Sequence, residues 1–411
     1  MKANSGITIP INITLGLGAY TAEIRVGSEQ LPVQVILDSG SSTLAIKTDK
    51  YQPEKDHALT STTYVQGLVY GAGGWFGPVV NTAIQFGNKH SIQLPQAPLA
   101  LIEDAAATAF QQADGIWGLA YHHLNKAYDT SDFLHQQKPA KSATYPWPFD
   151  ATNAPTEAKA FKKFLRQFPE HDITPLFTEL ANEQVTANQF AIITHRSIEY
   201  VPKPDMTIQA LEQEPLNQGQ FVIGYPLPTN PQRSIQVLHD DYYNVNLVSC
   251  WVAGFEACPA PPLDEKHIDS FFSNAIIDTG CSFLVLQQKL YDHVISSLQQ
   301  CHPAYKPIID DFTQASQQGK AYKNPDLNLD QWPDLFLSFS GADQEVELKL
   351  TPDSYWQQHA REPDNWYFML MPQLPHWPDQ TLCGLPLINN YVCVFDRTDT
   401  ERGMIHWLNK P

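Results

Sequence analysis

An apolar strand that ends in Asp-Ser/Thr-Gly, then a small residue and Ser, occurs twice in this chain. The first copy is Val35-Ile36-Leu37-Asp38-Ser39-Gly40-Ser41-Ser42, and the second is Ala275-Ile276-Ile277-Asp278-Thr279-Gly280-Cys281-Ser282. A single Asp-Ser/Thr-Gly is weak evidence, because average residue usage gives about 0.2 chance matches in a chain of this length. Two copies that share the preceding strand and the following Ser are far more constraining. They point to a long-period duplication in which each half delivers one carboxylate at a strand end. Two unrelated strand-end turns are the alternative.

Paired carboxylates have a defined chemistry. Two of them within about 3 Å cannot both ionise easily, so they share one proton over a working pH range. The ionised member can take a proton from water while the protonated member hydrogen-bonds a scissile carbonyl. Gly40 and Gly280 let the backbone approach closely, and their N–H groups can point at the carboxylates. Ser39 and Thr279 supply hydroxyls that can brace the two loops. Asp38 and Asp278 are therefore the candidate catalytic pair, with Ser39, Gly40, Ser41, Thr279, Gly280 and Cys281 as loop support.

The rest of the chain fits a turn-rich, mainly β protein. Val33–Leu37, Phe190–Ile193 and Phe221–Ile223 read as strands bounded by turn residues, and the alternating Ile7–Thr14 reads as a half-buried strand. Helical periodicity is confined to Glu157–Phe168 and Leu290–Gln300. The segment from His122 to about Ile173 is rich in Pro, His, Lys and aromatics and reads as a long surface loop. So does Phe255–Phe272. With 26 Lys and Arg against 44 Asp and Glu, the formal net charge is −18. Nucleic-acid and anionic-membrane partners need a basic footprint that this balance lacks. An acidic chain also suits work in acid, where protonation relieves self-repulsion.

At these residues the chain resembles the pepsin-type aspartic proteases over most of its length. Ala19 to Ile46 resembles the opening strands and first catalytic loop of that family. Leu68 to Gly74 resembles its β-hairpin flap, with Tyr70 at the flap tyrosine. Ala113 to Tyr121 and Leu382-Cys383-Gly384 resemble the two segments that interlock with the catalytic loops, and Tyr391 to Arg397 the closing strand. The resemblance implies a mainly β, bilobal fold with a cleft between two β-rich lobes. These lobes are expected at 1–220, carrying the first loop, the flap and an insertion near 122–173, and at 221–411.

It also implies a water nucleophile with no cofactor and no metal, acidic-pH cleavage between apolar residues, extended peptide or protein substrates, and inhibition by peptide-like pepstatin. Tyr70, Gly71, Ala72, Trp75 and Tyr242 are the expected substrate-binding residues. Phe76 and Tyr243 could line pockets or be core. A monomer is expected.

Three departures stand out. Ala45 occupies the usual tryptophan position that supports the flap, a role open here to Trp75 or Trp117. Cys281 replaces a threonine, and a thiol is the weaker donor. Leu385 follows Gly384 where an acidic residue is common. No basic prosegment and no signal peptide is visible, which resembles bacterial pepsin homologues of the shewasin type and leads to the expectation of a cytoplasmic protein with reduced cysteines. A dyad that titrates well below neutrality, as pepsin's does, would be nearly silent at cytoplasmic pH.

Other classes fit less well. A binding protein on the same scaffold would be expected to lose an Asp or a loop Gly, and both are present. No HExxH and no G-x-S-x-G occurs. The His122-His123 pair reads as loop histidines, since neighbours on a strand or helix point apart.

Overall fold

Each copy of the repeated motif lies in its own compact unit, one formed by Thr21–Asn188 and the other by residues 1–20 with Gln189–Pro411. The computed structural model describes residues 6–70, 73–87, 92–105, 110–229, 231–398 and 402–411. The division falls after Tyr20 and after Asn188, not at residue 220 as expected. Backbone pairing explains the difference. Ile7–Asn12 pairs antiparallel with Gln218–Ile223, which pairs with Gln189–Ile193, which in turn pairs with Tyr391–Asp396. The first strand and the 189–223 region are thus laced into the C-terminal sheet.

In the 21–188 unit, strands Thr21–Val26, Leu31–Asp38, Gly115–Gly118, Leu44–Lys47, Ile92–Ile102 and Gly73–Phe86 are neighbours in that order. Gly73–Phe86 then pairs back to Thr21–Val26, so the six strands close on themselves. Alternation puts Val33, Val35 and Leu37 inside. Thr60–Tyr70 and Gly73–Phe86 form a long hairpin, and Lys126–Asp129 and Glu170–Asp172 extend its outer edge.

The 122–173 segment is therefore more than a surface loop. Its helix Ala158–Leu165 starts where the Glu157 carboxylate accepts from the Lys159 and Ala160 amides at 3.1 and 2.9 Å. Phe161 and Leu165, one turn apart, are fully buried with Val65, Phe76, Tyr128 and Phe149. Phe76 stacks on Phe161 at 4.3 Å. Apolar periodicity marked the helix. What the sequence did not reveal is that it roofs the hairpin, because composition rich in Pro and His masks a scatter of aromatic anchors.

In the other unit, an antiparallel sheet runs Ile7–Asn12, Gln218–Ile223, Gln189–Ile193, Tyr391–Asp396, Met404–Asn409, Ser234–Gln236. A smaller sheet carries the second motif: Asn244–Val245, Ala275–Ile277, Thr381–Cys383, Leu284–Leu286 and Leu370–Pro372. The helix Gln288–Cys301 buries Leu290, Val294, Ser297 and Leu298, one face at i, i+4, i+7, i+8, and gives way at His302-Pro303. A following helix, Tyr305–Gln317, was not foreseen; its buried Tyr305, Ile309 and Phe312 are interrupted by polar residues. All six cysteines are free thiols, with Cys250 and Cys258 opposite each other on paired strands. No described helix is long and apolar enough to cross a membrane.

Candidate active site

Asp38 is the last residue of Leu31–Asp38, which runs parallel to Gly115–Gly118 in the register Asp38 with Gly118. The chain then turns back into Leu44–Lys47 on the other side of the same strand. A short parallel strand between two arms of one loop holds that loop from both sides. The Leu119 and Ala120 amides donate to the Asp38 and Ser41 carbonyls at 2.7 and 2.8 Å, and the Gly118 amide donates to Thr43 at 2.9 Å. Gly118 has to be glycine, since a Cβ there would lie 2.4 Å from the Ser42 nitrogen. Within the loop, the Gly40 amide donates to Asp38 Oδ1 at 2.8 Å and the Ser41 hydroxyl to Asp38 Oδ2 at 2.6 Å. Both bonds fix the orientation of the carboxylate. Asp38 is 8% exposed, and Ser39 and Ser41 are buried.

The second loop repeats this plan. Ala275–Ile277 runs parallel to Thr381–Cys383, and Leu284–Leu286 returns antiparallel to the same strand. The Gly280 amide donates to Asp278 Oδ1 at 2.8 Å, matching Gly40. Cys281 N donates to the Asp278 carbonyl at 3.3 Å, as Ser41 N does to Asp38 at 3.5 Å. A Cβ on Gly384 would meet the Cys281 and Phe283 carbonyl oxygens, each at 2.3 Å. Leu385 N donates to the Cys281 carbonyl at 2.9 Å. A backbone amide thus holds this loop, and the acidic side chain expected at that position is not needed for it. Thr279 is buried. The Cys281 thiol donates to the Phe283 carbonyl at 3.2 Å.

The expected substrate-binding residues divide. Tyr70 pairs with Gly73 at the hairpin end, which leaves a two-residue connection; Gly71, Ala72 and the Tyr70 side chain lie outside the described residues. Tyr242 is half-buried beside Asn244–Val245. Trp75 is a correction: it is fully buried, so its ring offers no surface to a substrate. Its indole nitrogen has no hydrogen-bond partner among the described residues. Trp117 is also buried, packed on Phe86 at 4.8 Å. Phe76 and Tyr243 are core, Tyr243 lying edge-on to Phe395 at 4.6 Å.

A polar network went unseen in the sequence. Asn125 Oδ1 accepts from Thr43 Oγ1 at 2.8 Å and from Gln66 Nε2 at 2.7 Å, all three side chains being buried. It ties the first catalytic loop to the strand that leads to the hairpin end. The one available signal was an amide, Gln66, inside an otherwise apolar strand approach.

A family model described as eukaryotic aspartyl protease matches residues 19–157. That stretch holds the Asp38 loop, the hairpin and the first interlocking strand. Over residues 19–157 the chain is similar to the pepsin-like aspartyl proteases. The match to 157 also brings much of the 122–173 segment within the family's span. Among curated proteins, a vacuolar aspartic protease of Candida albicans is 32% identical over 119 residues, covering 26% of this chain and 28% of that protein. Gastricsin of Rattus norvegicus is 34% identical over 129 residues, covering 28% and 31%. Gastricsin of Mus musculus is 33% identical over 133 residues, with the same shares. The chain spans less than a third of the length of the curated relatives it matches. The pepsin-like match ends before Asp278, so the second loop stands on its own geometry.

Proposed function

We propose that the protein is an aspartic endopeptidase in which Asp38 and Asp278 act as a pair on one water molecule. The observation that carries this reading is the repeated local geometry. Asp38 ends a strand and Asp278 directly follows one, each strand runs parallel to a short strand that ends at or just before a glycine, and each Asp takes the amide of the glycine two residues on at Oδ1 at 2.8 Å. An acid-protease dyad requires two loops built alike in this way. The ionised carboxylate accepts a proton from water, which attacks the scissile carbonyl. The protonated partner donates to that carbonyl oxygen, giving a tetrahedral diol. Proton transfer to the leaving nitrogen then breaks the C–N bond, and the dyad is left with one shared proton. Apparent titration values belong to the pair.

Extended peptides with apolar residues beside the cleaved bond are the substrate class we assign, cleaved in acid and blocked by pepstatin. The apolar preference is drawn from Tyr70 at the hairpin end and from half-buried Tyr242. Turnover by Asp38→Asn, Asp278→Asn and the double variant tests the pairing. Both single variants should lose nearly as much as the double, since residues acting as a unit are non-additive. Independent, multiplicative losses would refute a dyad.

A further inference from the structure

The pepsin-like unit holds a second group of ligating side chains that peptide hydrolysis does not use. His122-His123 lies on a single 3-10 turn, His122–Leu124. Their rings sit 3.8 Å apart between centroids. The turn is fixed by Asn125 N donating to the His122 carbonyl at 2.9 Å and Ile173 N donating to the Asn125 carbonyl at 2.8 Å. That second bond, with the register Lys126 opposite Asp172, brings the Asp172 carboxylate to the histidines. His123 Nδ1 lies 3.2 Å from Asp172 Oδ2, and one ligand atom each from His122, His123 and Asp172 lies within 4.8 Å of the other two. The sequence argument that adjacent histidines point apart fails here because the two side chains fold toward one another over the turn.

We propose that His122, His123 and Asp172 bind one divalent transition-metal ion of the class that takes imidazole nitrogen with carboxylate oxygen, such as Zn2+, Co2+, Ni2+ or Cu2+. Tetrahedral ligation at about 2.0–2.2 Å sets donor atoms about 3.3–3.6 Å apart, so small rotations of these exposed side chains close the site. Hard cations that prefer all-oxygen sets are disfavoured by the two imidazoles. Asp172 Oδ1 is already held by Lys126 Nζ at 2.6 Å, which orients the carboxylate and leaves Oδ2 for the ion. The positive charge of Lys126 opposes a cation, and Glu170, 3.4 Å from the same ammonium, offsets it. Three protein ligands leave a coordination position for water.

The ion would clip the turn to the outer strand, across 49 residues of chain. Its effect would reach the first catalytic loop through two hydrogen bonds that flank the turn. Ser42 Oγ donates to the carbonyl of Tyr121, immediately before the turn, and Thr43 donates to Asn125, immediately after it.

Calorimetric titration of the full-length chain with ZnCl2 near neutral pH tests this. One ion per chain is expected, with affinity at least tenfold weaker in His122→Ala, His123→Ala and Asp172→Asn, and unchanged in His302→Ala. Zn2+ should raise the thermal midpoint of the parent chain by several degrees, and that of His123→Ala by none. Equal affinity in the His122→Ala/His123→Ala double variant would overturn the proposal. Should that variant fold poorly, Cu2+ bound to the parent chain gives a second reading: hyperfine coupling to two imidazole nitrogens supports the site, and coupling to fewer overturns it.

Discussion

The Asp38 and Asp278 loops share a scaffold and differ in what holds the carboxylate. Both take the glycine amide on Oδ1 at 2.8 Å. Around Asp38 a hydroxyl, Ser41, adds a 2.6 Å bond on Oδ2. At the matching position Cys281 sends its thiol to the Phe283 carbonyl. The outer serines diverge as well. Ser42 reaches the Tyr121 carbonyl, on the segment that interlocks with its own loop, whereas Ser282 reaches the Gly18 carbonyl near the N-terminus. Backbone scaffolding has thus been kept in both halves, while side-chain donors have drifted. The lesson is that a duplicated motif preserves what only the backbone can supply and lets the side-chain contacts of its two copies differ.

The comparison can be broken most sharply at the carboxylates. Asp38→Asn and Asp278→Asn should each lower kcat by at least about a thousandfold, in line with other groups that act as a unit, with unchanged thermal midpoints. A large loss from one and not the other would show that the halves are unequal in chemistry as well as in side chains. The two glycine contacts come next. Gly118→Ala and Gly384→Ala place a Cβ against fixed backbone at 2.4 and 2.3 Å, and each should cost about 1–3 kcal/mol or more, read by denaturant unfolding. Similar losses from both would confirm a shared scaffold.

Smaller effects probe the divergence itself. Ser41→Ala removes the hydroxyl donor to Asp38 Oδ2 and should move the acidic limb of kcat/KM upward. Cys281→Thr installs a stronger donor in the second loop and should move it down. An unmoved limb in both variants would detach these side chains from the dyad. Least in size is a pH effect outside the loops. Burial raises the Glu199 carboxyl to about 7, against an opposing pull from Arg361. Between the ordinary carboxylate range and about 7 the folded state then holds a proton that the unfolded state has released. Stability should fall as pH rises through that window and level off above it. Glu199→Gln should flatten that slope in thermal midpoints measured from pH 4 to 8.

Much of this was legible in the sequence because the decisive signals are local. A strand ending in Asp-Ser/Thr-Gly announces itself in eight residues, and each copy sits at the end of a short strand in its own unit. Strands such as Gln189–Ile193 and Gln218–Ile223 followed from β-branched and aromatic runs between turn residues, and the Gln288–Cys301 helix from its apolar face. What was missed is long-range. Nothing in Ile7–Asn12 says that its partner is Gln218–Ile223, so the boundary between units was misplaced. Trp75 reads as an aromatic near a flap, and only packing reveals that it is enclosed. The Asn125 network joins residues from three segments, each unremarkable alone.

Cleavage of an internally quenched peptide with a Phe-Phe centre, from pH 2.5 to 7.5 with and without pepstatin, tests the paired-carboxylate claim most directly when the parent chain and Asp278→Asn are run side by side. Acid-limited cleavage that pepstatin blocks, and that Asp278→Asn abolishes, is the expected result. Full activity in folded Asp278→Asn, or no cleavage at any pH by the folded parent chain, would contradict it.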